Sequence, residues 1–261
     1  QRQFLTYYQE LFARREYSLL KLRNECRQFI DFIRQETGIF AEKGQDENGK
    51  NLFGFLHLTF EEYFAAIEFK RRIAQSGLLL KDYISSARWR EIILLCAALF
   101  GGQSGTGRFD ASQFVKKILN TKELFPPMHQ NLGLALRIMA DDVRLLPDCE
   151  KNVWSLLEDV LREDAEMRLG KELEAMMSSV EYKDRLRQRA EQWLREGGMR
   201  CVNTVRWLLY CEDGSWDDLL LLVPDLPDFP SFLERFAFTR RWPYFKRDPE
   251  LVQKWANGIT G

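Results

Sequence analysis

Only two histidines occur in this 261-residue chain. One of them, His57, stands where an apolar run meets a helix signal, and an imidazole there could donate to an anion or move a proton. Nucleophilic or acid–base catalysis would need a fixed partner, and the local sequence supplies none for His57. The same holds for His129, which follows Pro126-Pro127-Met128 and reads as a capping or exposed residue near a helix start. On residue chemistry alone, His57 reads as a buried, hydrogen-bonded histidine. The five cysteines (Cys26, Cys96, Cys149, Cys201 and Cys211) are dispersed, odd in number and set among apolar neighbours, with no Cys-x-x-Cys and no histidine beside a cysteine pair. That pattern predicts buried, reduced thiols and assigns no metal ligand. Glu61-Glu62, Asp141-Asp142 and Asp217-Asp218 are paired carboxylates, but each falls at an expected helix end, where capping or solvation accounts for it. No residue is assigned a catalytic role.

Three further stretches could meet an anion. Gly101-Gly102-Gln103-Ser104-Gly105-Thr106-Gly107-Arg108-Phe109 has the glycine spacing of a phosphate-binding loop from Gly102 to Gly107. Arg108 stands where the phosphate-reaching Lys belongs, and Phe109 where a hydroxyl would bind Mg²⁺, so the stretch reads as an interhelical loop. Arg185, Arg187 and Arg189 alternate along one expected helix. Near the C-terminus, Phe238-Thr239-Arg240-Arg241-Trp242-Pro243-Tyr244-Phe245-Lys246-Arg247 interleaves cations with aromatics, making Arg240, Arg241, Lys246 and Arg247 a candidate interaction surface. Glu234, Asp248 and Glu250 dilute its field, so a terminal helical cap with a solvated cationic rim is the favoured reading.

These residues need elements to position them. Leu19, Leu20, Leu22, Cys26, Phe29, Ile30 and Ile33 recur at helical spacing, with Gly38 as a C-terminal cap. Ile39-Phe40-Ala41, a polar turn from Glu42 to Asn51 and a return strand from Leu52 to Leu56 form the one clear hairpin signal. Thr59 and Glu62 then read as a capping box opening a helix from about Phe60 to about Ala74. Leu56 and Phe60 are expected in the core, where replacement by Ala would cost about 2 to 5 kcal/mol. Beyond Ala74 the periodicity stays helical: Ala87–Phe100, Ala111–Leu119, Leu132–Met139, Val153–Leu161, Leu169–Met177, Tyr182–Trp193 and Val202–Tyr210 each fit one amphipathic helix. Helices at intervals of about 15 to 20 residues match stacked pairs of an irregular, HEAT-like α-solenoid, although no strict repeat aligns. Tryptophans and prolines from Trp207 onward mark shorter helices and tight corners.

The run Phe53-Gly54-Phe55-Leu56-His57-Leu58-Thr59-Phe60-Glu61-Glu62-Tyr63-Phe64-Ala65-Ala66 resembles the end of the winged-helix domain of NACHT-type STAND NTPases, the relatives of NLR immune receptors. The family pattern there is aromatic-x-Phe-Leu-His-x-Ser/Thr-Phe-Gln/Glu-Glu-Tyr/Phe-x-Ala-Ala. The resemblance extends from about residue 15 to residue 100, including Thr37-Gly38-Ile39-Phe40 and Arg88-Trp89-Arg90-Glu91-Ile92-Ile93-Leu94-Leu95, and then fades into generic helical repeat. It implies a mainly α chain: a winged-helix domain with one β-hairpin over residues 1–75, followed by an α-solenoid-like region over 76–261, with a possible sub-boundary near 197–198. It also implies that His57 contacts the β-phosphate of ADP bound to an intramolecular P-loop domain, with Mg and ADP or ATP as that domain's ligands. On the same basis the whole protein is expected to be a P-loop ATPase or GTPase that self-associates on activation by a protein or nucleic-acid trigger. Innate-immune or antiviral signalling is the expected setting.

That P-loop domain has no counterpart in the sequence. The chain begins at Gln1 without an initiator Met, so it is expected to be an interior piece of a longer polypeptide that contributes no catalysis of its own. Composition fits a cytoplasmic chain: 45% hydrophobic and 30% charged, with 38 Lys+Arg against 39 Asp+Glu. A formal net charge of -1 gives no global pull toward nucleic acid or anionic membrane, and no apolar run reaches the roughly 20 residues of a membrane span. The competing expectation is a free-standing α-solenoid scaffold that binds protein or nucleic acid, with His57 structural.

Overall fold

The computed structural model describes residues 39–76, 80–102, 105–163, 168–210 and 216–223, with Asn24, Gln28 and Asp31 as isolated helical positions. The fold is mainly α, with a small antiparallel sheet near the N-terminus. Its described strands are β1 (Phe40–Gln45) and β2 (Asn51–Phe55). Ten α-helices follow among the described residues: α1 (Leu58–Ser76), α2 (Lys81–Ile84), α3 (Arg90–Gly101), α4 (Gly107–Leu119), α5 (Gln130–Ala140), α6 (Pro147–Glu163), α7 (Gly170–Met177), α8 (Lys183–Glu196), α9 (Gly198–Tyr210) and α10 (Asp217–Leu220). Backbone proximity divides the chain into two compact units between Ala65 and Ala66, inside α1.

In the first unit the strands pair in register from Phe40 opposite Phe55 to Gln45 opposite Asn51. An irregularity between Glu42 and Gly44 bends β1, and Gly44 takes the positive φ of 120° that a side chain would resist. The tip is shorter than the expected polar turn because β1 runs on to Gln45. Asp46 closes it: its carboxylate accepts the backbone N–H groups of Asn48 and Lys50, both at 2.9 Å.

The second unit holds the apolar core. Its fully buried side chains include Ile93, Phe114, Leu136, Leu157, Tyr182, Trp193 and Trp207. The expected helices overlap the observed ones, most of which extend further at one or both ends, while Leu169 and Tyr182 precede α7 and α8 by one residue. Helix α6 starts at Pro147, where the missing N–H costs nothing. The expected single helix from Ala87 is instead a 3₁₀ turn over Ala87–Trp89 and then α3. That turn places the Trp89 ring 4.4 Å from Tyr83 and 5.4 Å from Phe69, a three-ring contact. From α3 onward the extensively packed helix pairs lie no more than three places apart in chain order, among them α3 with α4 and α5, α5 with α7, α6 with α9, and α8 with α9. Helices α8 and α9 reverse through Gly197 and Gly198, at φ 71° and 69°.

Polar links join the loops of this unit. The Asp142 carboxylate accepts from Ser179 Oγ at 2.6 Å and from the Glu181 N–H at 3.0 Å, and those bonds hold its carboxyl below the usual range. Arg90 of α3 reaches Glu172 of α7 at 2.7 Å. Burial pushes the Cys96 and Cys201 thiols up to about 12 and raises that of Cys149, leaving all three as free, inert thiols. Among the described residues no helix is long and apolar enough to cross a membrane.

Candidate functional site

The strand-to-helix junction of the first unit carries His57. The Leu56 N–H donates to the Ile39 carbonyl at 2.8 Å, extending the hairpin bonding one residue past β2. Helix α1 then begins at Leu58, and the His57 carbonyl accepts the Phe60 N–H at 3.2 Å. His57 therefore occupies the position before the first helical residue. Thr59 lies inside the first turn rather than before it, which corrects its expected role in a capping box with Glu62. The physical reason is the bond from the Phe60 N–H to His57: the chain turns helical immediately after the strand, before Thr59 can act as a flanking residue.

The His57 ring is exposed, and among the described residues neither of its nitrogens takes a hydrogen bond. Its ring lies 6.3 Å from that of Phe60. The expectation from residue chemistry alone, a satisfied buried histidine, does not describe this side chain. Phe55 at the end of β2 stacks on Phe64 of α1 at 5.7 Å, and Tyr63 meets Phe64 edge-on at 5.9 Å, so aromatic contacts tie strand to helix beside the histidine.

The apolar residues around the junction face outward. Leu58 is 65% exposed, Leu56 54%, Phe64 50% and Phe60 40%; Leu52 and Tyr63 are exposed as well. This overturns the placement of Leu56 and Phe60 in the core. Helix α1 is apolar on two opposite sides, and Ala66, Phe69 and Ile73 form the side that is buried. Periodicity marks both stripes alike and cannot say which one is covered. Exposure of Leu58, Tyr63 and Phe64 was the part of the site that sequence reasoning missed. Glu61 is exposed in the first turn.

The other candidates resolve into structural roles. Gly107, Arg108 and Phe109 belong to the first turn of α4. A Cβ on Gly107 would lie 2.3 Å from the Gly101 carbonyl oxygen, so this glycine serves the close approach of α3 and α4. Arg108 donates to the Leu145 carbonyl at 3.0 Å, and Phe109 is exposed. His129 sits at φ 48° between the 3₁₀ turn Pro126–Met128 and α5, where its carbonyl accepts the Gly133 N–H at 2.8 Å. Arg185, Arg187 and Arg189 of α8 pair with Glu150, Asp218 and Glu158. The same guanidinium groups lie over the rings of Tyr182, Trp216 and Trp154, so the alternating cations face three different neighbours. Asp141 and Asp142 end α5, and Asp142 makes the clasp to Ser179. Arg240, Arg241, Lys246 and Arg247 lie outside the described residues, as does most of the expected helix before Gly38. Among the described residues no group of three or more His, Cys, Asp or Glu could hold a metal ion.

Searches against protein families, curated proteins and solved structures find no match for this chain.

Proposed function

We propose that this chain is the regulatory and sensor part of a NACHT-type signalling NTPase. In this reading its first unit belongs to a winged-helix domain whose hairpin is the wing, and its second is an irregular HEAT-like α-solenoid that relays or senses a trigger, protein or nucleic acid. ATP or GTP hydrolysis with Mg resides in a P-loop domain elsewhere in a longer cytoplasmic polypeptide. The single observation that carries the proposal is the exposed ring of His57 at the bend between β2 and α1, which takes no hydrogen bond among the described residues. It stands at the position that the resemblance assigns to the nucleotide contact.

The residues fit such a contact. A ring N–H of His57 can donate to an ADP β-phosphate, a charge-assisted bond worth about 1.5 to 3 kcal/mol. Leu56, Leu58 and Phe60 surround it with apolar surface that a covering domain would exclude from water. Because a ligand shifts an equilibrium only through its differential interaction with the two states, this bond favours the closed, ADP-bound form. The open form then exposes the same face, and the polypeptide self-associates. In the longer polypeptide, purified with ADP, His57→Ala is expected to raise the oligomer fraction without a trigger, read by size-exclusion chromatography with light scattering. A variant that stays monomeric while retaining its fold contradicts the proposal.

A second reading, a free-standing α-solenoid scaffold binding protein or nucleic acid, is favoured by one observation: from α3 to α10 each helix packs on others no more than three places away in the chain, as a helical array can without any nucleotide domain. An upstream Gly-x4-Gly-Lys-Ser/Thr segment in the encoding gene decides between the two.

A further inference from the structure

We draw no further inference here: the strongest candidate, the exposed apolar cluster of Leu52, Leu56, Leu58, Phe60, Tyr63 and Phe64 at the junction of β2 and α1, is an unpartnered face of the site already described, and nothing in the structure shows what covers it.

Discussion

The two units use the same residue types in opposite ways. In the first, Phe60, Tyr63 and Phe64 are 40 to 50% exposed near a histidine whose ring is exposed and takes no hydrogen bond among the described residues. In the second, Phe114, Tyr182 and Trp193 are at most 2% exposed, and Arg185, Arg187 and Arg189 of α8 are matched by carboxylates. A side that closes on itself has its stability in its own contacts. One that leaves aromatic and polar groups together in solvent has surface to offer to something else. The contrast separates residues that hold the fold from residues available for function, and it can be broken at several points.

The largest expected effect is in the core. Trp193→Ala and Phe114→Ala should each cost about 3 to 5 kcal/mol, because truncation leaves a cavity in a packed interior. Leu56→Ala and Leu58→Ala should each stay within about 0.5 kcal/mol. Urea denaturation of the four variants, followed by tryptophan fluorescence and circular dichroism, checks this. Equal losses at Leu56 and Phe114 would erase the contrast.

Alkaline pH should come next. Burial holds the protons of Cys96 and Cys201 up to about 12 against an ordinary 9.0, and that of Tyr182 up to about 12 against 10.0. Below the ordinary values these groups are protonated in both states. Above them the unfolded chain releases protons that the folded one retains, so stability falls as pH rises from about 9 to 12. Thermal melts across that range should show the decline, and Cys96→Ala with Cys201→Ala should flatten it. Melting unaffected between pH 9 and 11 would mean that these groups reach solvent.

A smaller change is expected at Asp142. Its carboxyl is held low by Ser179, so the stabilisation is present above the ordinary value of 3.8 and is lost as pH falls through the lowered one. Asp142→Asn keeps an acceptor and tolerates φ 59° but loses the charge, for an expected cost of about 1 kcal/mol at neutral pH. Denaturation midpoints of the variant and wild type at pH 7 measure it, and a variant as stable as wild type would show the clasp to be worth nothing net.

Much of this contrast is invisible in sequence. The hairpin was legible because a polar, glycine-containing turn separates two apolar segments, and most helices because their apolar positions recur every three or four residues. Leu132–Met139, for instance, lies within Gln130–Ala140. Short elements such as Lys81–Ile84 and the 3₁₀ turn at Pro126–Met128 carry too few residues for any period to show. The junction was marked by His57 itself, but its exposure was not. Both sides of α1 are apolar, and only the tertiary arrangement buries Phe69 and leaves Phe64 in solvent. The Asp142–Ser179 and Arg90–Glu172 links join residues far apart in sequence, and no local pattern announces such pairs.

The central claim is that the exposed His57 ring holds a bound nucleotide in the resting state. Its most direct test is the rate of ADP release from the longer polypeptide, measured by stopped-flow with a fluorescent ADP analogue for wild type, His57→Ala and the helix-turn control Thr59→Ala. Release from His57→Ala should be about 10- to 100-fold faster than from wild type, as expected when roughly 1.4 to 2.8 kcal/mol is removed from the closed form alone, with Thr59→Ala near wild type. Unchanged release from a properly folded His57→Ala protein would contradict that claim.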